Sequence, residues 1–215
     1  MDIGQNIAKI RKALPEHVTL VAVSKTQPIE AVLQAYEAGQ RDFGENRIQE
    51  MADKHDKLPN DIRWHMIGHV QTNKVRQMAG FVHLVHGVDS EKLLEEIDRQ
   101  AKKHGRTIDC LLQVFIASEE TKFGLDAGEL ENLLSALDDY PSVRIRGLMG
   151  MASLTDDDAQ IKAEFSALKK LYDHYAQTHG FDTLSMGMSG DYGIAVNCGS
   201  TMVRVGSRIF GTRNY

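Results

Sequence analysis

Apolar and polar residues in this chain alternate between a helical period and short apolar runs, and the switching continues from end to end. Ile3, Ile7, Ile10 and Leu14 recur at helical spacing, so the chain opens with an amphipathic helix. Val18 to Ser24 reads as the first strand. A helix follows with Pro28 in its first turn, an apolar face of Ile29, Val32, Leu33 and Tyr36, and Gly39 as its stop. Asp42-Phe43-Gly44 predicts a second strand leading to Glu45-Asn46, and Ile48 to Leu58 a helix that ends before Pro59. Strand three is expected over Ile62 to Ile67, a helix from Thr72 to Gly80, and strand four over Phe81 to Val85. Asp89-Ser90 can cap a helix running to Gly105.

The second half repeats the scheme. Strand five is Cys110 to Ile116, and Asp126 with Glu129 has capping-box spacing for a helix that runs to Asp139. Strand six is Val143 to Met149. A long helix carries Ile161, Phe165, Leu168, Leu171, Tyr172 and Tyr175 on one face and stops at Gly180, with Asp156-Asp157-Asp158 supporting its N-terminus through the helix dipole. Strand seven is Thr183 to Met186, a helix spans Asp191 to Cys198, strand eight is Met202 to Val205, and a last short helix includes Ile209 and Phe210. Eight strands alternating with helices imply parallel pairing. The expected fold is α/β: a single (β/α)8 TIM-type barrel with an extra N-terminal helix. A doubly wound open sheet is the alternative, but it calls for a Gly-rich fingerprint after strand one, where Ser24-Lys25-Thr26-Gln27-Pro28 stands instead.

Composition narrows the function. A length of 215 residues with 42% hydrophobic positions fits one globular domain. A net charge of −5 with no basic run argues against nucleic acid as a partner. No apolar stretch approaches the roughly 20 residues that cross a bilayer, and the first residues lack the order of a signal peptide. Cys110 and Cys198 have no metal-ligand spacing and read as reduced thiols of a cytosolic protein. His65 and His69 have the spacing of a zinc pair, but they fall on a strand and loop without HExxH, so no metal is expected.

Candidate chemistry gathers at the C-terminal strand ends: Lys25, Glu45-Asn46, His69 or Gln71, Asp89, Ser118, Met149, Ser189 and Arg204. Strand ends are often polar merely because loops are. Lys25 stands apart, because an ammonium directly after a core strand costs desolvation unless its amine is used, for example to form a Schiff base. Gly206-Ser207 opens a short helix after strand eight, and Ser189-Gly190 forms a turn after strand seven. These are the two places where barrels commonly bind phosphate. An imine-forming lysine and a phosphate cup on one rim point to pyridoxal 5'-phosphate. Arg204 is then a partner for the ring nitrogen, or else part of a structural ion pair. Met149, Met151, Met186 and Met188 pack the upper barrel layer and can support a flat ring.

At these residues the chain resembles the YggS/PROSC-type pyridoxal phosphate homeostasis proteins, which are similar in fold to the N-terminal domain of alanine racemase. The matching stretches are Val21 to Thr26, Phe43 to Asn46, Trp64 to Gly68 with Gln71 to Lys74, Arg146 to Met149, Leu184 to Ser189, and Thr201 to Gly211. Three positions depart from the usual pattern: Arg47, His69 and Gly190. The resemblance implies that Lys25 carries the internal aldimine and that Asn46, Met149 and Ser185 line the ring pocket. It also implies that Ser189, Gly206 and Ser207 hold the phosphate and that Arg204 faces the ring nitrogen. It further implies a cytoplasmic cofactor carrier, residues 1–215 forming one barrel domain, that buffers pyridoxal phosphate and passes it to apoenzymes. A monomer without membrane or nucleic-acid partners and with little or no catalysis is expected. Alanine racemase adds a C-terminal β domain with a second acid/base, whereas this sequence stops at Tyr215. A pyridoxal-phosphate-dependent racemase or lyase, and a cofactor-free barrel with an aldolase-type lysine, are the competing expectations.

Overall fold

A computed structural model describes residues 2–117 and 124–211. Eight parallel strands close into a barrel in chain order: β1 (Thr19–Val23), β2 (Asp42–Glu45), β3 (Arg63–Met66), β4 (Leu84–Val88), β5 (Ile108–Gln113), β6 (Val143–Met149), β7 (Thr183–Met188) and β8 (Met202–Val205). Closure is made by β8 on β1, with Thr19 opposite Met202 and Ala22 opposite Val205. The helices are α1 (Ile3–Ala13), α2 (Ile29–Glu37), α3 (Ile48–His55), α4 (Glu91–Lys103), α5 (Ala127–Ser135), α6 (Asp158–His179), α7 (Tyr192–Asn197) and α8 (Ser207–Phe210). The TIM-type barrel with its additional N-terminal helix is therefore the fold.

Strand side chains alternate between two apolar layers. Leu20, Ala22, Phe43, Trp64, Leu148, Leu184, Val203 and Val205 face outward and meet helix residues such as Phe165 and Leu168 of α6. Val21, Leu84, Leu111, Met149 and Met202 fill the barrel interior as a separate, smaller cluster. Helix ends follow local chemistry. Asp126 and Glu129 form the expected capping box on α5, Asp157 accepts from the Ala159 and Gln160 amides at the start of α6, and Gly180 closes α6 in the left-handed region. At the N-terminal mouth Arg63 grips Asp42 through two contacts of 2.7 and 2.6 Å. Arg144 and Arg146 hold Asp109, and Arg146 also pairs with Asp182.

Several boundaries differ from the sequence reading. The fourth strand lies at Leu84–Val88, three residues later than expected. The apolar residues Phe81 and Val82 belong to the preceding turn, where Phe81 stacks on His55 with ring centroids 4.0 Å apart. The segment after Thr72 is a 3₁₀ helix ending at Gln77 rather than an α-helix to Gly80. Strand five starts at Ile108 and ends at Gln113, beyond which Val114 bridges to Leu125. In α2 the buried positions are Val32 and Ala35, whereas Leu33 is exposed. The rim candidate Ser118 lies outside the described residues.

One irregularity decides which residues reach the interior. Along the β5–β6 pair Cys110 stands opposite Ile145 but Leu111 opposite Gly147, so Arg146 is an extra residue. This bulge lets Leu148 face outward and Met149 inward. Gly147 takes it with φ +149°, and a Cβ there would fall on the Thr183 carbonyl oxygen. Gly147→Ala is therefore expected to lose about 3 kcal/mol or more, read from the urea midpoint. Gly105→Ala is expected to lose only about 1–2 kcal/mol, because Gly105 also has positive φ but nothing stands within 4 Å of its added Cβ. Equal losses in the two variants contradict the close-approach argument.

Candidate functional site

A cavity of about 700 Å³ opens at the C-terminal rim of the barrel. It is lined by Lys25, Asn46, Ser189, Arg204, Gly206 and Ser207, six of the eight residues singled out in the sequence. Met149 and Ser185 do not line it. Both are fully buried, Met149 in the interior apolar layer and Ser185 beneath Arg204. The remaining walls are Val23, Ile67, Met151 and Met188, with Gln27, Gly68, His69, Gln113, Gly190 and Gly211 around them.

Alternation places the lysine. Val21 lies in the interior layer, Val23 lines the cavity, and Lys25 continues the same face past the strand end. The backbone that presents it is clamped from behind. Lys54 Nζ, on α3, donates to the Ser24 carbonyl at 2.7 Å, to Glu45 Oε1 at 2.7 Å and to Glu50 Oε1 at 2.8 Å. Glu50 Oε1 also accepts from the Thr26 amide at 2.6 Å. The peptides on both sides of Lys25 are thus tied to one buried ion cluster. Thr26 sits at φ +64°, a conformation that costs a β-branched residue on the order of 1–2 kcal/mol. Ser24 Oγ donates to Glu45 at 2.6 Å, and Glu45 Oε2 has no hydrogen-bond partner among the described residues. Burial raises the Glu45 carboxyl above its ordinary value, against the opposing pull of Lys54.

Next to the lysine, two loops meet, Gly206 packing against Val23 of β1. The Gly206 amide donates to Ser189 Oγ at 3.1 Å, Arg208 Nε donates to the Ser189 carbonyl at 2.6 Å, and the Met188 amide donates to Asp191 Oδ1 at 2.5 Å. Asp191 thereby holds the Ser189-Gly190 turn in place. At Gly190 a side chain would extend into open space. At Gly68 one would collide with the Asn46 backbone, so the β2 and β3 loops approach each other only because residue 68 is glycine.

Arg204 forms the floor. It is 3% exposed, and its acceptors among the described residues are Ser185 Oγ at 2.5 Å and the Gly150 carbonyl at 3.2 Å. Burial pulls its pKa down to about 10, with distant Asp191 opposing, so it remains charged at neutral pH. A buried cation held only by neutral acceptors favours an electron-rich or anionic occupant above it. On the other wall His69 Nδ1 lies 3.1 Å from Asp89 Oδ2. The sequence reading offers His69 or Gln71, and Asp89, at the rim, of which His69 lines the cavity, but it misses Gln113 and Ile67. Those two sit at or just past strand ends and look like ordinary core or rim residues in an apolar pattern.

Fold and cavity together define a (β/α)8 barrel with a lysine after its first strand, a buried arginine on its last, and a glycine–serine rim between strands seven and eight. The chain belongs to the alanine racemase N-terminal domain family, whose description matches residues 2–214, and within it to the pyridoxal phosphate homeostasis proteins. It is 36% identical to the pyridoxal phosphate homeostasis protein of Escherichia coli, covering 100% of this chain and 98% of that one. It is 41% identical to the protein of the same name from Vibrio alginolyticus, covering 94% and 89%. PipY of Synechococcus elongatus, solved without and with pyridoxal phosphate bound, is 39% identical. It superposes with TM-scores of 0.93 and 0.90 over 97% of this chain and 100% of that one. Alanine racemase of Clostridium difficile shares the fold at 13% identity and a TM-score of 0.79, with 57% of its length covered.

The clamp behind Lys25 yields a stability prediction. Lys54→Met leaves Glu45 buried without its cation and is expected to cost about 3–5 kcal/mol in urea unfolding. Adding Glu45→Gln removes the stranded charge and is expected to recover much of that loss. A double variant no more stable than Lys54→Met contradicts the ion-cluster account.

Proposed function

We propose that this chain is one barrel domain that binds pyridoxal 5'-phosphate covalently through Lys25, and that it buffers and delivers the cofactor rather than turning over a substrate. The observation that carries the reading is the convergence of Lys25, the buried Arg204 and the Ser189–Gly206–Ser207 rim on one cavity. The donor set fits the group: an amine for its aldehyde, hydroxyls and backbone N–H groups for its phosphate, a fixed cation for its ring nitrogen, and apolar walls for its ring. The names of the relatives and the ligand of PipY support the same choice. When bound, the cofactor supplies a carbonyl carbon that an amine can attack.

The chain's own residues divide the rest of the task. Lys25 Nζ is the nucleophile. Ser189, Gly206 and Ser207 hold the phosphate, and Asn46 positions the ring edge. Arg204 turns the guanidinium donors that Ser185 and Gly150 leave over toward the ring nitrogen and disfavours a proton there by like-charge repulsion. Met149 and Ser185 act from the layer below, as support rather than as contacts.

Little catalysis is expected from the same lining. Among the described residues it contains no carboxylate, phenol or thiol, so its proton-transfer groups are Lys25 and His69. We place the protein in the cytoplasm as a monomer, with apoenzymes as recipients. Cys110 is free and buried and Cys198 free and half-buried, in keeping with a reducing compartment, and no described helix is long and apolar enough to cross a membrane.

Borohydride reduction of the cofactor-loaded protein, followed by peptide mass spectrometry, is expected to place the added mass on Lys25 and on no other lysine, and Lys25→Ala to abolish both adduct and yellow colour. An adduct mapping to Lys74 in the wild type defeats the assignment. Arg204→Ala is expected to weaken binding by about tenfold or more while leaving the adduct on Lys25.

The His69–Asp89 pair favours a second reading, a racemase or lyase in which an oriented imidazole moves the substrate's α-proton. Exchange of the α-hydrogen of L-alanine in D₂O, followed by proton NMR, separates the two. A carrier exchanges it no faster than free cofactor does. An exchange rate of order 1 s⁻¹ or more that falls in His69→Leu establishes the enzyme instead.

A further inference from the structure

Five buried side chains form a continuous string along the barrel interior, from the cavity floor to the opposite mouth. Arg204 on β8 donates through Nη1 to Ser185 Oγ on β7 at 2.5 Å. Ser185 Oγ lies 3.0 Å from Nδ1 of His86 on β4. His86 Nε2 lies 3.0 Å from Nδ1 of His65 on β3, and His65 Nε2 lies 3.0 Å from Oδ1 of Asp42 on β2, the carboxylate gripped by Arg63. Neither histidine lines the cavity.

With one proton on each ring, the two ends fix the direction of every bond between them. Arginine only donates, so Ser185 Oγ accepts. Burial pushes the Asp42 carboxyl up, but hydrogen bonds from Arg63 and His65 outweigh that and hold it well below the usual carboxylate range, so Asp42 only accepts. His65 Nε2 therefore carries a hydrogen. With one proton on each ring, His65 Nδ1 is bare and accepts from His86 Nε2–H, and His86 Nδ1 is bare and accepts from the Ser185 hydroxyl. Burial first, with the Arg204 charge adding to it, holds His86 well below the ordinary histidine value, which keeps a second proton off that ring near neutrality. The reverse order points a bare His65 nitrogen at a carboxylate and sets two donors competing for Ser185 Oγ.

We propose that Asp42, His65 and His86 are positioning residues for the cavity floor, acting as a one-way hydrogen-bond relay that fixes the Ser185 hydroxyl and, through it, the guanidinium of Arg204. The relay commits the Ser185 hydrogen away from Arg204, so that its lone pair faces the arginine. The carboxylate that ends the string lies at the far mouth, with three side chains between it and Arg204. Asp42, His65 and His83 bring ligand atoms within 4.8 Å of one another, as a metal centre requires. Arg63 already occupies both Asp42 oxygens and the relay occupies both His65 nitrogens.

The first test uses protein labelled with ¹⁵N-histidine and free of cofactor, with ring-nitrogen shifts recorded at pH 7. His86 is expected as the neutral Nε2–H tautomer and His65 with its hydrogen on Nε2, facing Asp42; His86 protonated at Nδ1, or on both nitrogens, overturns the relay. The second test rests on the proposed function and uses pyridoxal phosphate labelled with ¹⁵N in the ring. His65→Leu removes the acceptor for His86, whereas His65→Asn keeps an oxygen near the position of Nδ1. His65→Leu is expected to move the cofactor's ¹⁵N resonance and weaken binding about tenfold, with His65→Asn staying close to wild type. An unmoved resonance and affinity in His65→Leu, or equal losses in both variants, overturn the relay. Borohydride mapping of the same samples keeps the two proposals apart: a wild type without a Lys25 adduct defeats the cofactor reading, and the tautomer measurement then decides the relay alone.

Discussion

The pairing of β1 with β8 is the constraint on which the rest of this molecule depends. Val21 stands opposite Arg204 and Ala22 opposite Val205, so the first and last strands of the chain are neighbours. In that register the inner face of β1 runs through Val21 and Val23 to Lys25, and the inner face of β8 runs through Met202 to Arg204. A slip of one residue in either strand would turn its cation into the dry layer between sheet and helices. The outer-face residues Leu20, Ala22, Val203 and Val205 prevent this, each being 6% exposed or less. Apolar burial on one side of two strands thus fixes where two charges sit on the other side.

Those charges are handled in contrasting ways. Lys54, also buried, is matched by Glu45 and Glu50 and closes a structural cluster. Its role is internal, since it ties α3 to the turn that carries Lys25. Arg204 instead meets a hydroxyl and a carbonyl, dipoles that offset only part of the cost of burying a guanidinium. The difference falls where a cavity begins. A protein interior that leaves a cation half-compensated holds binding free energy in reserve for whatever brings electron density to that place, and it gives up some stability of the empty form to do so.

Most of this architecture can be read from the sequence, and the failures have definite causes. Strands six and eight were placed to the residue because glycine, proline or charge bounds them on both sides. Strand four was misplaced by three residues because Phe81 and Val82 are as apolar as any strand yet pack in a turn. The rim residues at strand ends, such as Lys25 and Ser189, follow from counting alternation outward from the core. Met149 and Ser185 were assigned to the cavity wall but lie one layer below it. The bulge at Arg146–Gly147 and the register shift between Ser185 and Met188 alter the depth at which those strands deliver side chains. No periodicity announces a bulge. The relay histidines were legible only as two among nine, because their significance lies in three contacts between residues 21, 23 and 99 positions apart in the chain.

On the proposed reading the cavity has a graded character that bears on what the protein is for. Arg204 at the floor is buried and fixed by the relay, whereas Gly190, Ser207 and Met188 at the glycine–serine rim are exposed. The end of a ligand that meets the floor would be recognised by a rigid, dry cation. The end that meets the rim would be held by short side chains and backbone groups that water can replace. An enzyme that must exclude water from a reacting centre gains little from such a rim. A protein that must take up a phosphorylated aldehyde and later release it gains from both halves. The buried cation supplies discrimination, and the open anion cup lets the ligand depart without unfolding any part of the barrel.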